Sequence, residues 1–191
     1  MLYKQLLAGC EEANTEYIGI AEHDCFYTED HLSYIPPSDD KFYYNENVWF
    51  VSLDKGKRPQ KYGMYSRYWE PERLALSQMV SNRELYIKAL RGRIDAIRKD
   101  KSFAKKIDHI NEPGKSKIKS LYERATSGRP SYLRPLLPDF MEIEQYDTFN
   151  DIIPQLDVRH GRNFTGPRNG SKLWSDVPYW GKFEDFMRRW V

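Results

Sequence analysis

The feature that most constrains this chain is a short apolar run, Tyr17-Ile18-Gly19-Ile20-Ala21, that stops abruptly in Glu22-His23-Asp24. Strands covered on both faces read as near-continuous apolar runs, whereas half-buried strands alternate. The run therefore predicts a buried parallel strand. It is preceded by Leu2, Leu6, Leu7, Cys10 and Ala13, which fall on one face at helical spacing, so residues 2–13 read as an amphipathic helix. A helix followed closely by a buried strand is half of an α/β unit, and α/β is the expected class.

In open α/β sheets, ligands bind beyond the carboxyl ends of the strands. Glu22 and Asp24 are expected there with no adjacent Lys or Arg, and two such carboxylates attract a cation. Oxygen ligands suit magnesium or manganese, and the imidazole of His23 shifts the preference toward manganese or softer ions. An acidic tripeptide alone is ordinarily a solvated turn, but a second segment adds to this one. Leu156-Asp157-Val158-Arg159 reads as a brief strand leading into His160-Gly161-Arg162-Asn163, which puts another histidine in a Gly-flanked turn.

Elsewhere, Phe42 to Leu53 reads as one or two strands, Asp54-Lys55-Gly56-Lys57 as a hairpin turn, and Tyr62–Tyr68 as the returning strand. Leu74 to about Ile97 has helical periodicity, Glu142 to Ile152 suggests a short helix, and Trp180 to Trp190 a final one. With 191 residues the chain is expected to form a single domain, 1–191. No apolar run approaches the roughly 20 residues that span a bilayer. Cys10 and Cys25 fit no zinc or redox spacing and read as reduced structural thiols, which suggests a cytoplasmic protein. The net charge of +2 conceals a basic segment at 83–134, with 15 basic against 6 acidic side chains. Such a segment is either a solvated helical surface or a face that attracts polyanions.

Gln5-Leu6-Leu7-Ala8-Gly9 through Tyr17–Tyr27 resembles the metal-site region of GT-A fold glycosyltransferases, in particular the family 2-like enzymes of bacteria and phages. The resemblance continues in Pro36-Pro37, in Tyr44–Trp49, in Leu76–Tyr86 and in Asp157–Thr165. It implies a partial GT-A-like mixed sheet with flanking helices. It also implies transfer of a sugar from a nucleotide-diphosphate sugar to an acceptor hydroxyl, with Mn2+ or Mg2+. Glu22, Asp24 and His160 would hold the metal, His23, Arg159 and Arg162 would contact the donor, and Glu142 or Glu144 would be the catalytic base. The metal motif comes after only one helix, so the part that normally holds the nucleoside is expected to be truncated or supplied by a partner chain. An uncovered sheet edge beside Tyr17–Ala21, prone to self-association, follows from that expectation. The acceptor stays open; if the basic segment borders it, DNA and a phosphate-linked cell-surface precursor are the two anionic candidates. Two other readings compete: a non-catalytic polyanion-binding relative, and a zinc hydrolase using His23, Asp24 and His160.

Overall fold

The computed structural model describes residues 2–53, 62–67, 75–99, 113, 144–159 and 172–190. The chain is mixed α/β and divides into two compact units, each with its own four-stranded sheet. Four helices are present among the described residues: α1 (Leu2–Glu12), α2 (Glu29–Leu32), α3 (Arg83–Lys99) and α4 (Phe183–Trp190). None is long and apolar enough to cross a membrane.

The first unit comprises Met1–Ile20, Ile35–Tyr44 and Leu74–Thr148. Its sheet runs β1 (Tyr17–Gly19), β6 (Met79–Asn82), β3 (Lys41–Asn45), β7 (Gln145–Phe149). The apolar stripe of α1 packs with that of α3 over one core: Tyr3 and Cys10 meet Tyr86, Leu90, Ile94 and Ile97 above Phe42, Tyr44 and Met79. Asn82 starts α3, because its Oδ1 accepts from the Glu84 and Leu85 amides at 2.9 and 3.2 Å. That side chain satisfies donors that no helical carbonyl can reach.

Three sequence expectations change here. Tyr17–Ala21 is not a buried parallel strand. It forms β1 at the edge of the sheet, antiparallel to β6, with Gly19 and Ala21 exposed. Ile18 and Ile20 pack against the core, so the run supplies one apolar face and not two. Met79 and Val80 belong to a strand between β1 and β3 rather than to the helix that follows, and sheet pairing overrides their helical spacing. Gln145–Phe149 is a strand, in keeping with the β preference of Tyr146, Thr148 and Phe149.

The second unit comprises Ala21–Tyr34, Asn45–Arg73 and Phe149–Val191. Its sheet runs β2 (Cys25–Phe26), β8 (Gln155–Arg159), β4 (Val48–Ser52), β5 (Tyr65–Arg67). β8 is parallel to β4 and antiparallel to β2, and β5 returns antiparallel on β4 as the hairpin signal predicted. Gly63 precedes β5 with φ +71, and a Cβ there would lie 2.7 Å from the Phe183 ring, so only glycine fits. A small hairpin, β9 (Asp176–Val177) and β10 (Gly181–Lys182), leads into α4. Phe183 and Phe186 of α4 enter a core with Val51, Tyr65, Leu156, Val158 and Trp180. Beyond Lys99, only Pro113 of the basic segment belongs to the described residues.

Candidate functional site

The acidic turn lies at the carboxyl end of a strand, but the strand is not the one that precedes it. Residues 21–24 lead into β2, and β2 is antiparallel to β8, with Cys25 opposite Asp157. The turn therefore sits where β8 ends, and β4 ends beside it because those two strands are parallel. The turn is closed by its own backbone, with the Cys25 amide donating to the Glu22 carbonyl at 3.2 Å. It is fastened to β8 by the Val158 amide, which donates to the Asp24 carbonyl at 2.7 Å. The Glu22 amide donates to the Tyr27 phenol oxygen at 2.8 Å. Burial, followed by the neighbouring Cys25, raises the Tyr27 pKa and keeps the phenol neutral.

Glu22, Asp24 and Cys25 converge here. One ligand atom from each lies within 4.8 Å of the others. Behind them is Asp157, whose side chain is 5 % exposed. Its Oδ2 accepts from Arg159, and its Oδ1 has no hydrogen-bond donor among the described residues. Burial pushes the Asp157 pKa up to about 7, Arg159 pulls it down, and Asp24 and Glu22 push it up again. The guanidinium of Arg159 lies 4.8 Å over the Phe50 ring. Two carboxylates and a thiol whose ligand atoms converge are donors of a kind that fits a divalent cation.

A second buried polar cluster supports the same unit. Asn45 Nδ2 donates to Asp151 Oδ2 at 2.6 Å, and Asn47 Nδ2 donates to the Asp151 carbonyl at 2.8 Å. His31 Nδ1 lies 3.4 Å from Asp151 Oδ2, with its ring between Tyr27 and Phe149 at 5.3 and 5.9 Å. The His31–Asp151 approach is too poorly aligned for a hydrogen bond. These contacts brace Tyr27, and through it the Glu22 amide.

Of the residues singled out from sequence, Glu22 and Asp24 are thus together, and Arg159 is beside them through Asp157. His23 is exposed in the turn and is not part of the converging set. His160, Arg162 and Glu142 lie outside the described residues. Glu144 belongs to the first unit, and both its oxygens are taken by the buried Arg93, one of them at 2.7 Å. Burial opposes the Arg93 charge, but Glu144 more than offsets it and raises the pKa. A carboxylate engaged in this way is poorly placed to accept a substrate proton.

Sequence reasoning passed over Asp157 and treated Cys25 as structural. The signal was the alternation Gln155-Leu156-Asp157-Val158-Arg159, which puts Asp157 and Arg159 on one face of the strand and the two apolar residues on the other. No protein-family model, curated protein or solved structure matches this chain.

Proposed function

We propose that this chain carries the metal and diphosphate half of a glycosyltransferase that uses nucleotide-diphosphate sugars. One observation carries the reading: Glu22 and Asp24 converge with Cys25 at the carboxyl end of β8, backed by buried Asp157. This is where α/β sheets hold ligands, and the donors are of the kind that hold a divalent ion. Such an ion, when bound, offsets the charge that develops on a diphosphate leaving group. The protein's own part is to fix the two carboxylates through the Asp24–Val158 and Glu22–Tyr27 hydrogen bonds and to hold Arg159 nearby as a counter-charge. His160 and Arg162 follow β8 directly in sequence and are the candidates to complete the diphosphate contacts. Glu142 is the base candidate carried forward, because Glu144 is engaged by Arg93.

The test is a panel of nucleotide sugars with Mn2+ or Mg2+, with and without chelator, on wild type and Asp24→Asn. Donor hydrolysis or transfer that needs the metal is expected, and Asp24→Asn should lose it while keeping the wild-type melting profile. Full activity of Asp24→Asn in chelator would remove the metal role. Absence of turnover with every donor, combined with salt-sensitive binding to nucleic acid, would favour the polyanion-binding alternative.

A further inference from the structure

We propose that the groove between α1 and α3 binds a single-chain anionic amphiphile, a fatty carboxylate, with its head at Lys4 and Arg98 and its chain along Leu7, Ala8 and Ile94. The site belongs to the first unit alone and does not depend on the transferase reading. The groove has a volume of about 450 Å3, within the range of small-molecule sites. Its walls follow from helical spacing. Lys4, Leu7, Ala8 and Glu11 recur at three- and four-residue steps along α1, and Arg91, Ile94, Asp95 and Arg98 do so along α3. Residues at that spacing share one helix face. The two helices are antiparallel. Arg83, at the start of α3, donates to the Ala13 carbonyl just past the end of α1, and Arg91 meets Glu11 at 2.7 Å. Two helical turns further on, about 10 Å, Lys4 comes level with Arg98.

The two ends of the groove therefore differ. At one, Arg91 and Glu11 neutralise each other. At the other, Lys4 and Arg98 stand with a single acid, Asp95, which Arg98 meets at 3.2 Å. One positive charge is left over there. It matches one carboxylate better than a phosphate monoester, which carries about 1.5 to 2 negative charges at neutral pH. The Arg98–Asp95 pair is exposed, so it holds its geometry weakly and yields to an incoming carboxylate. A guanidinium bonds such a group in a fork. Between the ends the walls are aliphatic, with Ile94 buried and the small Ala8 side chain exposed, which leaves an alkyl chain room to lie against them. No aromatic ring lines the groove among the described residues, so a nucleobase has no stacking platform there.

The experiment titrates the full chain with decanoate, below its micellar concentration, by isothermal calorimetry. Decyltrimethylammonium, decyl phosphate and inorganic phosphate are run beside it. Decanoate should saturate at one molecule per chain. The cationic amphiphile and inorganic phosphate should not bind, and decyl phosphate should bind no more tightly than decanoate. Lys4→Glu should weaken decanoate binding by at least about tenfold, the lower end of what a hydrogen bond to a charged group contributes. Ala8→Phe should weaken it as strongly, by filling the space the alkyl chain needs. Lys4 and Ala8 are both exposed, so neither change removes core packing, and both variants should keep the wild-type melting profile. Absence of saturable decanoate binding, equal binding of the cationic amphiphile, tighter binding of decyl phosphate, or unchanged affinity in either folded variant overturns the proposal. If a variant fails to fold, the wild-type ligand series still decides.

Discussion

Among the described residues, each unit buries one acid–arginine pair, and the two pairs are built differently. In the first unit, Arg93 and Glu144 are 1 % and 8 % exposed and meet through two parallel hydrogen bonds. Arg93 also donates to the Ala89 carbonyl at 3.1 Å. Charge is balanced one to one and the geometry is the forked kind that guanidinium favours. In the second unit, Asp157 and Arg159 are two residues apart on one strand and meet through a single carboxylate oxygen. Glu22 and Asp24 add negative charge beside them. The same two residue types thus give a forked pair in one place and, in the other, a single-oxygen pair with further acidic side chains beside it. Geometry and acidic neighbours, rather than burial, are what separate the two pairs, since the side chains of both are largely buried.

The largest expected effect breaks the forked pair. Glu144→Gln leaves the Arg93 guanidinium buried with no countercharge. Loss of one partner from a buried pair costs about 3–5 kcal/mol, so urea denaturation should show a loss of that order. The double variant Arg93→Met/Glu144→Leu should recover much of it, since apolar replacement removes both desolvation costs. A Glu144→Gln variant as stable as wild type would show that the pair does not hold the first unit together.

A smaller effect sharpens the contrast from the other side. Asp157 has its pKa raised to about 7 by burial, against an unfolded value near 3.9. Between those pH values the native chain keeps a proton that the unfolded chain has released. Stability therefore falls as pH rises from about 4 to 7 and levels off above that. Asp157→Asn removes this term, so its melting temperature in chelator should fall less than that of wild type between pH 5 and pH 8. Parallel profiles for the two proteins would mean that Asp157 is not held protonated.

What was legible in the sequence followed from periodicity and from charge. The stripe of α1, the hairpin of β4 and β5, the brief strand ending at Arg159 and the acidic character of Glu22 and Asp24 can all be read locally. The relation of the acidic turn to its strand was not, because strand pairing is non-local. Nothing in residues 17–24 says that the turn will serve the end of β8, more than 130 positions later. The engagement of Glu144 was not legible for the same reason. A carboxylate near an expected helix start resembles a base until its partner Arg93, 51 positions away, is known. Cys25 carried no spacing signal, and its place opposite Asp157 comes only from pairing across the sheet.

The smallest expected effect uses the same helix as the largest. Arg91 lies two residues before Arg93 on α3, and it too pairs with a glutamate, Glu11 of α1, at 2.7 Å. The distance matches that of Arg93 Nη2 to Glu144. Exposure does not, because Arg91 and Glu11 are 61 % and 43 % accessible. Water screens their attraction and replaces either partner when the other is removed, so exposed pairs contribute roughly 0–1 kcal/mol. Arg91→Ala should therefore shift stability by no more than about 0.5 kcal/mol, and added salt should erase the shift. Glu11→Gln should behave alike, unlike its buried counterpart Glu144→Gln. A loss of several kcal/mol from Arg91→Ala that persists in high salt would show that the α1–α3 contact depends on this pair. Burial would then no longer explain why two arginine–glutamate pairs on one helix differ.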